Sequence, residues 1–410
     1  MYWKSQWAPY AGLYYDPTFT YKPWPTMPDA DPDDPIKEAG QSTSTVNMSV
    51  EFITFDNGGT DLFIPRAHYY AYSDTESKPY LVIVDGGTIT YYAVTGITGT
   101  YPYEEVTELT LDTTPPDDVI PKKAGGTPRT YAEERQNFAN YFQYYRRRFE
   151  AAKGAVTNVI ASMQGVYMGF FSICQQLMQP VMKIKVAGED EAQTLLDMIY
   201  AFDNSSGTPL RGGLQFVGRY FDKDDGYKLD GSAGDDSPWA TAAEGGECQQ
   251  AFAVVMTDGF WDDDDADDSV GPADYSTFEI RGNEDKDGAY DTEFDGPPYA
   301  DTESDMLADH AIHYYERDLA SGLADKVPTN PHDTATHQHL VTYGISFGLT
   351  GDFNPDDYDE NLEHKTTGVP VDWDDGNKID DLWHAAVNAR GEFVVATNTG
   401  ELVNSFVSIM

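Results

Sequence analysis

From about residue 131 onward, short apolar runs of strand length alternate with longer stretches whose apolar residues recur at helical spacing. Such alternation leaves few architectures open, because parallel strands need long crossovers and helices usually supply them. VYMGFFSI and VMKIKVAG read as strands, and a helix is expected from about Glu189. SGTPLRGGLQFVGRYF enters another helix, and FAVVMTD is the kind of run used in a sheet buried on both faces. SDMLADHAIHYYERDLA reads as a helix with Ser304 as N-cap. HLVTYGISFGL and GEFVVAT read as strands, and IDDLWHAAVNA and TGELVNSFVSIM as helices. The series opens with YAEERQNFANYFQYYRRRFEAAKGAVTNVIASM, read as one helical stretch with Phe138, Phe142, Tyr145 and Phe149 on a single stripe. Thr130 is its expected N-cap, and Glu133 supplies the capping-box acid. The expected fold class is therefore α/β, a doubly wound sheet over residues 126–410, with acidic loops at about 222–247 and 262–303.

Residues 1–125 have a different character. AGLYYDPTFTYKPWP is rich in proline and aromatics and is expected to be extended, whereas SVEFITF, HYYAYS and YLVIV read as strands. The twenty-eight tyrosines and twenty phenylalanines of the chain suit such a β-rich region. The formal net charge of −44 argues against nucleic acid or an anionic membrane as partner, since both would repel it. It favours divalent cations, basic partners or a high-salt setting. No run reaches the ~18 apolar residues needed to span a bilayer. The aromatic N-terminus lacks a signal-peptide core, so an exported protein is expected to have its leader upstream of Met1. Cys174 and Cys248 fit no zinc spacing; a disulfide suits an exported protein, and two thiols fit the sequence equally well.

Two sets of oxygen donors stand out. Asp258 ends the apolar run FAVVMTD, and Thr208 lies in a loop just before a helix. Ligands of open α/β sheets bind outside the carboxyl ends of the strands, and a hard cation takes hydroxyl and carboxylate oxygens. In NEDKDGAYDTEF, residues Asn283, Asp285, Asp287 and Asp291 have the spacing of calcium-loop ligands with Gly288 at the turn. Phe294 occupies the twelfth position, where such loops carry a bidentate acid, so a solvated acidic loop is the competing reading. His310 and His313 share a helical face without an H-E-x-x-H pattern. No P-loop, nucleophile elbow or dinucleotide fingerprint is present, and a binding role is expected in preference to catalysis.

SGTPLRGGL and VVMTDG resemble the second and third metal motifs of the von Willebrand factor type A domain, in the order that domain uses them. Thr208 and Asp258 match those two positions. Over nearly the whole chain, GLYYDPTFTYKPWP, TYAEERQNFANYFQYYRRR, ECQQAFAVVMTDGFW, LADHAIHYYERDL and KIDDLWHAAVNARGEFVVAT are similar to the N-terminal half of PilY-type type IV pilus proteins. That resemblance implies a von Willebrand type A-like sheet in which residues 1–125 form a large β-rich insertion. It also implies an exported protein at the pilus tip, cell surface or periplasm, with pilins, minor pilins or a host or surface ligand as partners and Mg²⁺ or Ca²⁺ at the adhesion site. The alternative is a structural capping module that docks on minor pilins with a vestigial, metal-free site. The first strand and its D-x-S-x-S motif are not found in these 410 residues. Either the chain is a shortened product or another segment or chain supplies that strand.

Overall fold

The computed structural model describes residues 2–173, 176–203, 208–222, 238–261, 282–286, 288 and 294–409. It is a mixed α/β protein with several sheets, and its chain divides into two compact units. The first comprises residues 1–162, 199–203 and 398–404; the second comprises 163–198, 204–397 and 405–410.

In the first unit, β1 (Glu51–Asp56) and β2 (Asp61–Pro65) pair antiparallel across the DNGG turn that the sequence predicts. Strands β3 (His68–Ser73), β4 (Lys78–Asp85), β5 (Thr88–Thr98) and β6 (Glu105–Asp112) follow as an antiparallel meander in sequence order. Trp3, Phe55, Ile64, Tyr70, Leu81 and Val94 share one buried cluster there. Helix α1 (Tyr131–Tyr144) begins as expected: Thr130 accepts from the Glu133 N–H, and Glu133 reaches back to the Thr130 N–H at 2.9 Å. The single helical stretch read from the sequence is instead broken at Tyr145, and α2 (Arg148–Ser162) follows. The buried stripe differs accordingly: Phe138, Tyr141, Tyr144 and Tyr145 are buried, whereas Phe142 and Phe149 are only partly so. The cause is the extended N-terminal segment, whose Tyr15, Tyr21 and Trp24 pack on α1 and α2. Gly154 of α2 permits that approach, since a Cβ there would lie 2.9 Å from the Trp24 indole nitrogen and 2.8 Å from the Tyr145 ring.

Glu150, in the first turn of α2, is fully buried, and neither carboxylate oxygen has a hydrogen-bond partner among the described residues. Burial pushes its carboxyl up to about 7, against the pull of Arg146 and Arg147. A raised folded-state value means that the folded chain keeps a proton the unfolded chain sheds. The stability present below pH ~4.5 is therefore lost as pH rises toward about 7, by at most ~3 kcal/mol. Glu150→Gln is expected to flatten that decline, so the variant gains on the parent in urea midpoint between pH 5 and 7.5. A difference that stays constant over this range would contradict the assignment.

In the second unit, β7 (Val166–Ser172) and β8 (Gln176–Ile184) form an antiparallel hairpin, followed by α3 (Ala192–Ala201), which ends in the first unit. Helix α4 (Leu210–Phe221) leads to β9 (Ala251–Thr257), and then α5 (Leu307–Glu316), β10 (Leu340–Phe347), α6 (Lys378–Asn388) and β11 (Arg390–Ala396) alternate. The last helix, α7 (Thr399–Ile409), starts in the first unit and ends in the second. β9, β10 and β11 are parallel neighbours in that order, which is what two successive β-α-β units produce. Leu210, Leu214, Ala253, Leu307, Tyr314, Leu340 and Leu382 belong to one buried core. Gly218 lets α4 and α5 approach, because a Cβ at that position would meet the Tyr314 ring at 2.1 Å. Ser304 is not the N-cap of α5; the helix starts two residues beyond the expected place, where the Asp309 carboxylate accepts from the Met306 N–H at 2.7 Å. A carboxylate reaching back from inside the first turn does the work that the sequence reading gave to a hydroxyl.

Candidate functional site

β9 pairs with β10 from Ala251↔Leu340 to Thr257↔Ser346, and no described residue pairs with its other edge. Its side chains reflect this: Val254, Val255 and Met256 are only partly buried, and Phe252 is 48% exposed. A parallel strand is normally covered on both sides, so a half-covered apolar strand at an open edge is unusual. α4 lies against both β9 and the β7–β8 hairpin: its Leu210 and Leu214 share a cluster with Ala251 and Ala253, and the Tyr220 hydroxyl accepts from the Val181 N–H at 3.1 Å. Among the described strands β7 pairs with β8 alone.

Asp258 follows β9 directly and is exposed. Thr257 bends the backbone there, donating its hydroxyl to the Gly259 carbonyl at 2.7 Å. Thr208, also exposed, immediately precedes Pro209 at the start of α4. These are the strand-end and helix-entry positions at which the sequence reading put them. Two oxygen donors fall short of the six that Mg²⁺ takes or the six to eight of Ca²⁺, and the 410 residues hold no D-x-S-x-S to add more. Among the described residues, no complete hard-cation site is present at the end of β9.

The calcium-loop reading meets a different arrangement. Asp287 and Asp291 lie outside the described residues, whereas Asn283 and Asp285 come together with groups far away in sequence. Asp285, fully buried in a 3₁₀ turn (Glu284–Lys286), accepts from the Asp301 N–H at 3.2 Å and from the Asn388 amide at 3.0 Å. His384 of α6 brings Nε2 to 3.4 Å from Asp285 and Nδ1 to 3.5 Å from Asp301. The Nε2 hydrogen bond goes to the Tyr299 carbonyl, which can only accept, so Nε2 carries the proton and Nδ1 presents a lone pair toward Asp301. Trp373 stacks on the imidazole, with centroids 4.3 Å apart and planes 8° from parallel. Asn283 donates to Asp301, and Asp309 accepts from the Glu284 N–H at 2.7 Å.

Burial pushes three carboxyls up, Asp285 to about 6, Asp301 to about 7 and Asp309 to about 8. Burial also pushes His384 down to about 4, so the imidazole is neutral near pH 7. Lys286 reaches only the Asp301 backbone carbonyl, at 3.4 Å, and Arg390 bonds the carbonyls of Val387 and Asn388. Among the described residues no lysine or arginine pairs with these three acids. Sequence reasoning did not reach Asp301, His384 and Asn388 as members of the site. The available signal was the spacing of His384 and Asn388, one helical turn apart on the same face of α6.

Of the other histidines, His310 bonds the Met306 carbonyl at 2.8 Å, His313 bonds Glu284 at 2.8 Å and His339 bonds Asp333 at 3.2 Å. Cys248 is exposed and Cys174 lies outside the described residues. Among the described residues no helix is long and apolar enough to cross a membrane.

No protein-family model and no solved structure matches the chain. Curated relatives do. The chain is 28% identical over 329 residues to the type IV pilus biogenesis factor PilY1 of Pseudomonas aeruginosa strain PAK. It is 27% identical over 321 residues to the protein of the same name from strain PAO1, and 26% over 323 residues to that from strain UCBPP-PA14. Each match covers 68% of this chain and about a quarter of the relative. Across that 68% of its length, the chain is similar to type IV pilus biogenesis factors.

Proposed function

We propose that this chain is part of an exported type IV pilus-tip adhesin or assembly factor, which acts by protein–protein contact rather than by catalysis. Its parallel sheet is read as one part of a doubly wound, von Willebrand type A-like sheet, with the β7–β8 hairpin as another. The observation that carries this reading is the open, half-covered edge of β9. A strand added there, from another segment or another chain, would gain main-chain hydrogen bonds and bury the exposed apolar side chains. The same strand would bring further oxygen ligands to Thr208 and Asp258, which would then hold Mg²⁺ or Ca²⁺, with an acidic group of a pilin, minor pilin or surface ligand completing the coordination.

The test compares the parent with Asp258→Ala in cells, scoring piliation and cation-dependent surface binding. Loss of cation-dependent binding by at least ~10-fold is expected, as for removal of a direct ligand. Unchanged binding and piliation would remove the metal from the proposal. The competing reading, a capping module docked on minor pilins with a vestigial site, is favoured by the small number of donors, Thr208 and Asp258, at the strand end among the described residues. Calorimetry with Mg²⁺ or Ca²⁺ in high monovalent salt separates the two. Saturable binding that appears with the added strand and is lost in Asp258→Ala supports the adhesion site; salt-sensitive uptake without saturation supports the cap.

A further inference from the structure

We propose that Asp285, Asp301, His384 and the side-chain carbonyl of Asn388 form a closed structural site for one borderline divalent cation of the Zn²⁺ or Mn²⁺ class, which ties Asp285 and Asp301 to helix α6. This site is separate from the strand-end donors and does not depend on the strand-addition reading.

Its first support is convergence. One ligand atom from each of Asp285, Asp301 and His384 lies within 4.8 Å of the others, and all three residues are buried. Nδ1 lies 3.5 Å from Asp301, too long for a strong hydrogen bond, whereas the 3.4 Å approach of Asp285 is to Nε2 on the other side of the ring. Two ligands bound at ~2.0–2.1 Å from one tetrahedral ion would sit about 3.3 Å apart. The second support is the histidine tautomer. Metal-ligating histidines give their other ring N–H to a carbonyl or carboxylate. Here Nε2 does so toward Tyr299, which leaves the lone pair of Nδ1 facing a carboxylate oxygen. Lone pair against lone pair in a buried space is repulsive unless a proton or a cation lies between them.

Asn388 supplies an independent indication. It is fully buried with its amide against Asp285, yet its Oδ1 has no partner among the described residues. A buried carbonyl without a donor forfeits its hydration with nothing in return, so such groups are rarely left bare. A half-turn of the amide puts Oδ1 where Nδ2 now lies, 3.0 Å from Asp285 Oδ2, as a fourth donor beside the other three, and leaves the NH₂ in the position that has no partner now. Asn283 also has a buried Oδ1 without a partner while its amide donates to Asp301. Two carboxylates, an imidazole and an amide oxygen suit a borderline cation, whereas Ca²⁺ prefers six to eight oxygens. Four protein donors leave no open position, which is the mark of a structural site. Two carboxylates also balance the charge of a divalent ion, and among the described residues no lysine or arginine is paired with either.

The experiment uses the chelator-stripped 410-residue chain. Zn²⁺, Mn²⁺ and Ca²⁺ are titrated in turn by calorimetry in high monovalent salt, and thermal unfolding is followed with and without each ion. The expected result is saturable uptake of one Zn²⁺ or Mn²⁺ with a rise in Tm in the parent and in Asp258→Ala. Binding should be at least ~10-fold weaker in the near-isosteric Asp301→Asn and in His384→Gln, with no Tm rise in either. Co²⁺ added to the parent keeps the test decisive if those variants do not fold: four-coordinate ligand-field absorption supports the site, and a spectrum of hydrated ion overturns it. The proposal is also overturned by no stoichiometric uptake in the parent, by unchanged uptake in folded Asp301→Asn, or by a preference for Ca²⁺ over Zn²⁺ and Mn²⁺. The first of these outcomes assigns the cluster to a proton shared between Asp301 and His384.

Discussion

Arg129→Ala is expected to destabilise the first unit by about 3–5 kcal/mol, because it leaves a buried carboxylate without its counter-charge. Arg129 and Glu134 form an ion pair at 3.1 Å with side chains 2% and 0% exposed. The guanidinium also donates to the carbonyls of Pro17 at 2.6 Å and Phe19 at 2.9 Å, and Glu134 accepts from the Tyr15 hydroxyl at 2.7 Å. Burial pushes the Glu134 carboxyl up, and Tyr15 and Arg129 pull it back. Asn137 and Asn140 continue the same attachment, accepting from the N–H groups of Tyr21 and Ala30 and donating to the carbonyls of Phe19 and Tyr21. The extended N-terminal segment, which has no sheet to satisfy its backbone, is therefore satisfied by polar side chains of α1 and by Arg129 just before it. A fall in Tm on the order of 10 °C is expected for a unit of this size. The double variant Arg129→Met/Glu134→Leu should recover much of the loss, since it removes both charges. A single-variant cost below ~1 kcal/mol would show that solvent reaches the pair, as it does for exposed ion pairs.

Asp380→Ala should cost the second unit about 2–4 kcal/mol by stranding backbone donors at the start of α6. One carboxylate accepts from the N–H groups of Asp352 at 2.8 Å, Phe353 at 3.1 Å and Asn377 at 2.8 Å, and the residue is 2% exposed. Its neighbour Asp381 points elsewhere and accepts from the N–H groups of Leu307 and Ala308, each at 3.0 Å, at the start of α5. Asp380→Asn, which keeps one good acceptor oxygen, is expected to lose about half as much. The difference in urea midpoint is the measurement, and an Asp380→Ala variant within ~0.5 kcal/mol of the parent would show that water replaces the carboxylate. In a chain with 70 acidic residues, Asp380 and Asp381 are carboxylates whose work is to hold backbone N–H groups.

Local features were legible where a few neighbouring residues settle the outcome. The capping box at Thr130 and Glu133, the hairpin at DNGG and the strand ending at Asp258 all stand where their residues place them. The helix break at Tyr145 was hidden because helical spacing continues across it, and the N-terminal segment that packs there comes from more than 100 residues away. Asn283 and Asp285 drew attention by their spacing. Asp301 sits in ordinary acidic sequence, and His384 sits in an ordinary helix, so neither shows its association with Asp285 before folding.

By itself the sequence determined the alternation that yields three parallel strands joined through helices, the β-rich first third, and the strand-end position of Asp258. These follow from periodicity, turn residues and caps, which report how a segment is buried within itself and its immediate neighbours. Only the tertiary structure decided that β9 keeps an unpaired edge among the described residues and that Asp285, Asp301, His384 and Asn388 meet. Which strand edge stays unpaired among the described residues, and which buried side chains converge, are properties of contacts between residues distant in the chain, and those form only when the core closes around them.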